Sequence, residues 1–104
     1  MDPGSLHKEQ GRFLVIDVRE PPEWEAGHIE GALHIPMEQL PGRLEQLGRG
    51  RRIATVCRSG SRSGQMAEFL ATQGFQAENM NGGMEAWSKA GLPMVAERGK
   101  PRVA

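Results

Sequence analysis

Apolar residues fall in short, nearly unbroken runs separated by turn-forming residues, the pattern of strands covered on both faces rather than one. Phe13-Leu14-Val15-Ile16, with two β-branched residues, predicts such a strand, continuing into Asp17-Val18-Arg19. Pro21 and Pro22 stop it and open a short helical turn from Glu20 to Ala26, with Gly27 where a helix end often takes positive φ. Ile29, Ala32, Leu33 and Ile35 place a short strand before Pro36. Leu40, Leu44 and Leu47, spaced four and three apart, predict a short amphipathic helix to about Gly48, irregular at Pro41 and Gly42. The cluster Arg49, Arg51 and Arg52 reads as a solvated loop.

A second buried strand, Ile53-Ala54-Thr55-Val56, runs directly into Cys57 and a loop dense in Ser and Gly. Met66, Ala67, Leu70 and Ala71 then form one stripe of a helix from Ser63 to Gln73, ended by Gly74. Phe75 to Met80 predicts one more strand. Gly82-Gly83 opens a helix carrying Met84, Trp87 and Ala90 and closed by Gly91, and Leu92-Pro93-Met94 packs back on the body. Strands alternating with helices predict a small three-layer α/β/α domain with a mostly parallel central sheet. The expected organisation is a flexible or partly ordered N-terminus at 1–11, a folded domain at 12–94 and a loosely ordered tail at 95–104. Residues 1–5 are polar and turn-prone, as compatible with a tag remnant as with a native end.

Composition narrows the function. The chain has 104 residues and a hydrophobic fraction of 38%, enough for one core. Thirteen basic residues balance thirteen acidic ones, so no global field favours nucleic acid or anionic lipid, and neither is expected as a partner. With no signal-peptide pattern and no apolar run near the roughly 18 residues of a membrane span, a cytoplasmic location is expected. One cysteine excludes an internal disulfide, a Cys-x-x-Cys pair and a multi-thiolate zinc site. His28 and His34 flank a Gly-rich turn, but their spacing fixes no common geometry with Cys57. They read as hydrogen-bonded scaffold residues, and no metal or cofactor is expected.

The informative stretch is Cys57-Arg58-Ser59-Gly60-Ser61-Arg62-Ser63. A cysteine ending a buried strand is most often an inert small hydrophobe. A loop between a strand's C-terminal end and a helix start instead turns backbone N–H groups toward an anion, and the same field stabilises a thiolate. Gly60 gives the loop its tight turn, Ser59, Ser61 and Ser63 offer hydroxyls, and Arg58 and Arg62 offer positive charge. Asp17, at the same sheet edge, orients the loop or an arginine, or serves as a turn acceptor. Arg19 reads as an ion-pair partner, and Trp24 and Trp87 as core or wall residues. Gly82 and Gly83 are expected to let the last helix approach the site's rim, with Met84 lining its entrance.

These residues resemble the rhodanese domain, whose single-domain members are small sulfurtransferases. The signature Cys-Arg-x-Gly-x-Arg-Ser is matched by Cys57, Arg58, Gly60, Arg62 and Ser63. Asp17-Val18-Arg19-Glu20 is similar to the family's Asp-x-Arg element, Gly27 to Pro36 to its Gly-His-Ile-x-Gly-Ala-x-x-Ile-Pro, and Gly82 to Trp87 to its Gly-Gly-x-x-x-Trp. Members usually carry an extra strand and short helix in front, so the first edge strand is expected to be shortened or absent here, which leaves the oligomeric state open between a monomer and a weak dimer. Cys57 to Arg62 spans six residues, the loop length of similar sulfurtransferases, whereas related phosphatases and arsenate reductases place the arginine one position later, where this chain has Ser63.

What the resemblance implies is a double displacement. The Cys57 thiolate takes the outer sulfur of a thiosulfate-like anionic donor, and a thiol, cyanide or protein acceptor removes it from the resulting persulfide. Arg62 either attracts the donor or pins the loop. Three other readings stand beside this one: a protein-to-protein persulfide relay, an arsenate reductase or phosphatase of related fold, and a non-enzymatic binding module.

Overall fold

The computed structural model describes residues 1–104. The first apolar run forms β1 (Phe13–Asp17) and the second β3 (Arg52–Val56), paired in parallel from Phe13↔Arg52 to Asp17↔Val56. The short β2 (Leu33–His34) and β4 (Ala77–Asn79) flank them, giving a four-stranded, all-parallel sheet in the order β2-β1-β3-β4. Successive side chains on a strand point to opposite faces, which divides the core in two. Phe13, Val15, Ala54 and Val56 pack with Leu6, Met84 and Trp87, while Ile16, Ile53 and Cys57 pack with Leu40, Leu70 and Phe75.

Four helices join the sheet, α1 (Pro3–Lys8), α2 (Pro21–Ala26), α3 (Ser61–Thr72) and α4 (Gly83–Lys89); α1 and α4 pack into the first cluster and α3 into the second, while α2 buries no residue. None is long and apolar enough to cross a membrane. The front of the chain departs from expectation in one respect. The extra strand is absent, but α1 is fully formed: Asp2 caps it by accepting from the Ser5 N–H at 2.8 Å, and Leu6 is completely buried. A 3-10 turn at Gln10–Arg12 then leads straight into β1.

Other local expectations change for physical reasons. Within Ile29 to Ile35 the short strand is Leu33–His34, and Ile35 N and Met37 N carry the bonding on to Asp17 O and Val18 O, at 3.0 Å each. Leu40–Gln46 is a kinked 3-10 segment, not an α-helix, with Pro41 and Gly42 in its first turn. Gly27 has φ 173°, which any residue adopts; its smallness matters because a Cβ there would lie 2.8 Å from Arg102 N. The arginine cluster is anchored rather than free. Arg49 lies 4.2 Å over the Phe75 ring and Arg52 4.5 Å over Phe13, while Arg51 donates to Phe13 O at 2.8 Å. The segment 95–104, expected to be loose, is fastened at intervals: Val95 pairs with His28, Glu97 N donates to Glu25 O, and Arg102 N donates to Ala26 O.

Candidate active site

Cys57 is the first residue past β3, at the C-terminal edge of the sheet, with its side chain on the α3 face. Gly60, at φ 103°, reverses the chain in the left-handed region and lets α3 begin at Ser61. This turn folds the loop back over the sulfur. Sγ accepts from the Gly60 N–H at 3.1 Å and lies 3.2 Å from Ser63 Oγ.

The loop amides face inward because its carbonyls are held from outside. The first turn of α4 supplies two donors, Met84 N to Cys57 O at 2.8 Å and Glu85 N to Arg58 O at 3.0 Å. Gly60 O accepts from Asn79 Nδ2 at 3.1 Å and from Gly64 N at 3.0 Å. Such contact with α4 requires glycine at position 83, where a Cβ would lie 2.5 Å from Cys57 O. Below the loop, Thr55 Oγ1 donates to Ser63 O at 2.8 Å and ties the start of α3 to β3.

The electrostatics follow. Burial pushes the Cys57 thiol up, but hydrogen bonds from the Ser63 hydroxyl and from the Ser63, Gly60 and Ser59 amides outweigh it, and the group sits below its ordinary value.

Arg62 points away from a free donor role: both its terminal nitrogens reach the Glu23 carboxylate, at 2.8 Å each. Glu23 belongs to the α2 capping box, where it also accepts from the Glu20 N–H at 3.0 Å. One carboxylate thus fixes both the start of α2 and the end of the Cys57 loop. The Arg62 hydrogen bonds lower the Glu23 pKa from 4.5 to about 2. Its stabilisation is complete above 4.5 and lost as pH falls through about 2. Replacing Glu23 with Gln is expected to flatten the loss of stability across that interval. Because the pair is partly exposed, the difference should be about 1 kcal/mol, read by urea unfolding at matched pH values. An equal acid slope in both proteins would refute this coupling.

Arg58 is half exposed and pairs with Glu85 at 3.3 Å, so its charge is partly compensated at the rim. Ser59 and Ser61 are exposed on the loop, and Ser63 is fully buried beneath it. Asp17 does not reach the loop. Its carboxylate takes the buried Arg19 guanidinium at 2.7 to 3.1 Å, and Arg19 also donates to Gly27 O at 2.7 Å. This pair locks the β1 exit to the end of α2. His28 Nδ1 donates to Trp24 O and His34 Nε2 to Arg19 O, each at 2.7 Å, with both rings stacked nearly parallel to Trp24.

Met84 does not line an entrance. Its side chain is fully buried in the core with Leu6 and Trp87, and only its backbone touches the loop. Gly82, at φ 81°, turns the chain into α4, while Trp87 anchors that helix in the core and donates to Pro93 O at 2.9 Å. The largest surface hollow lies away from Cys57, between α2 and the tail at Trp24, Glu25, Arg98 and Arg102. A smaller recess beside the loop is lined by Arg58, Glu85, Ser88, Lys89 and Val103.

Sequence reasoning missed Glu23, Asn79 and Thr55. Glu23 carried one local signal, the capping spacing from Glu20, but nothing that linked it to Arg62. Asn79 and Thr55 lie on neighbouring strands, and no sequence spacing points to their contacts with Ser63.

The arrangement has relatives. Residues 3–90 match the family model described as the rhodanese-like domain. A sulfurtransferase of Allochromatium vinosum is 40% identical over 87 residues, covering 83% of this chain and 81% of that protein. A Bacillus subtilis protein, also named as a sulfurtransferase, is 42% identical over 75 residues, covering 72% and 73%. Among solved structures, a rhodanese-related protein of Thermoplasma volcanium superposes with a TM-score of 0.88 at 32% identity, covering 91% of this chain and 95% of that one. The matched span takes in α1, the Cys57 loop and α4, and on that ground the chain belongs to the rhodanese-like domain family, whose relatives here are named sulfurtransferases.

Proposed function

We propose that this chain moves sulfane sulfur from a thiosulfate-like or persulfide donor to a thiol, cyanide or protein acceptor, with Cys57 as the carrier. The observation that carries the reading is the donor ring around Sγ, which keeps a buried thiol below its ordinary pKa. The thiolate attacks the outer sulfur of thiosulfate, a new S–S bond forms, the old one breaks, and sulfite departs with its electron pair. The enzyme then holds Cys57–S–S⁻. An acceptor thiolate attacks the terminal sulfur, takes it as its own persulfide, and returns Cys57 as a thiolate.

In this scheme the inward amides stabilise charge on the carried sulfur, because they are already oriented and need no reorganisation when it arrives. Arg62, clamped by Glu23, holds the loop's shape and adds positive charge near the sulfur. The six-residue spacing from Cys57 to Arg62 supports sulfur over a tetrahedral oxyanion.

One observation favours a protein donor or acceptor. Arg58, the exposed cation of the rim, is paired with Glu85, which leaves a small anion little uncompensated charge to bind. Both versions predict that the carrier form is isolable. After thiosulfate treatment and desalting, the intact mass is expected to rise by one sulfur, about 32 Da. A gain with a protein persulfide but not with thiosulfate would select the relay. No gain with either would overturn the proposal.

A further inference from the structure

Ser63 Oγ lies 3.2 Å from Cys57 Sγ and 2.6 Å from Asn79 Oδ1. Both are acceptors when Cys57 is a thiolate, but a hydroxyl has one proton. Ser63 is fully buried and Cys57 nearly so, which keeps bulk water from serving whichever acceptor is left out. The Asn79 amide cannot resolve the conflict by turning over. Its Nδ2 donates to Gly60 O at 3.1 Å, and the opposite orientation would set two oxygens against each other there.

We propose that Asn79 is a positioning residue that sets the reactivity of Cys57 by competing with its sulfur for the single hydroxyl proton of Ser63. In the thiol form, Ser63 donates to Asn79 Oδ1, the nearer acceptor, and its own oxygen is free to accept from S–H. When the thiol gives its proton to bulk water, the Ser63 proton turns to the new thiolate and Asn79 Oδ1 loses its donor. The thiolate gains one charge-assisted hydrogen bond at the cost of a short neutral one. Asn79 therefore holds the thiol pKa higher than the loop alone would place it, while its Nδ2 keeps Gly60 in place.

The charged groups around Cys57 are paired: Arg62 of α3 with Glu23 of α2, Arg19 with Asp17 of β1, and Arg58 with Glu85 of α4. On β4, Glu78 is engaged by Arg52. None of these pairs includes Ser63 or the Asn79 side chain, and the charged N-terminus reaches Asn79 only at its backbone O, at 2.9 Å.

The proposal rests on Cys57 as the reacting group, and its test uses no sulfur donor, so its failure is separate from that of the sulfur-transfer reading. The pH midpoint of iodoacetamide alkylation is measured for the native protein, Asn79→Ala, Ser63→Ala and the double variant. Asn79→Ala is expected to lower the midpoint by roughly 0.5 to 1 pH unit, and Ser63→Ala to raise it by a similar amount. In the Ser63→Ala background, the downward shift from Asn79→Ala should disappear. A purely structural role predicts the reverse sign, because losing the bond to Gly60 O loosens an amide that stabilises the thiolate. An unchanged or raised midpoint in Asn79→Ala, or a downward shift that persists without Ser63, overturns the proposal. If Asn79→Ala does not fold, Asn79→Asp decides, compared with and without Ser63 so that its lost bond to Gly60 O and its added charge cancel between the two backgrounds. Its stronger acceptor should raise the midpoint more with Ser63 present than without it, and equal shifts in the two backgrounds overturn the proposal.

Discussion

Cys57→Ser is expected to take up no sulfur from any donor and to lose sulfur transfer by roughly a thousandfold or more. The substituted oxygen sits in the same ring of donors, from Gly60 N and Ser63 Oγ, but those donors cannot bring an alcohol near ionisation at neutral pH. An alkoxide is also a poor partner for sulfane sulfur, since the sulfur–oxygen bond lacks the exchange chemistry of a disulfide. The change removes little volume, so stability should stay within about 1 kcal/mol of the native protein. That separation is what makes the variant informative. The measurements are intact mass after thiosulfate treatment and turnover in the same preparation, with urea unfolding as the control for folding. A variant that still gains the mass of one sulfur would place the carrier elsewhere and remove Cys57 from the mechanism.

Gly83→Ala should have the second-largest effect, although residue 83 carries no chemistry. Its φ of 60° costs an alanine about 1 kcal/mol, and the added Cβ would lie 2.5 Å from both Cys57 O and Arg58 C. These are backbone atoms in a held loop and cannot swing aside. The first turn of α4 must lift, which stretches the bonds from Met84 N to Cys57 O and from Glu85 N to Arg58 O. We expect a loss of about 2 to 4 kcal/mol, which in a domain of this size lowers Tm by roughly 10 to 20 °C. Once the Cys57 and Arg58 carbonyls are released, the loop peptides can rotate, and the midpoint of Cys57 alkylation should rise. Gly91→Ala is the control. It has a similar φ of 71° but nothing within 4 Å of the added Cβ, so it should show the strain alone. Equal destabilisation by both variants would mean that the contact of α4 with the loop contributes nothing.

The Cys57 loop was legible because its parts are contiguous. A buried strand, a cysteine, a glycine able to take positive φ and a helix start follow one another along the chain, and local sterics dictate how they fold. The strands β1 and β3 were equally plain, since an unbroken apolar run ending at a charge or a loop has few alternatives in a domain with one core. Short elements were harder. β2 is only two residues long, and Leu40–Gln46 took the 3-10 form, because pairing partners and packing decide such cases more than propensity does. Met84 shows the limit of reading a motif without a helix phase. The glycines before it bring the backbone of α4 to the site, but the rotation of that helix sends the side chain into the core with Trp87.

A parallel α/β domain, Cys57 at a strand end and a tight glycine turn after it were all written in the chain. Each depends on neighbours along the chain and on the period of apolar positions. Tertiary contacts alone hold that loop in its shape. Glu23 meets Arg62 from 39 residues away, and Asn79 meets Ser63 from 16, while α4 closes on the carbonyls of Cys57 and Arg58. These contacts come from parallel strands and crossover helices, which bring remote residues to one edge of the sheet. Their geometry is set by sheet register and helix phase, and no spacing along the chain records it.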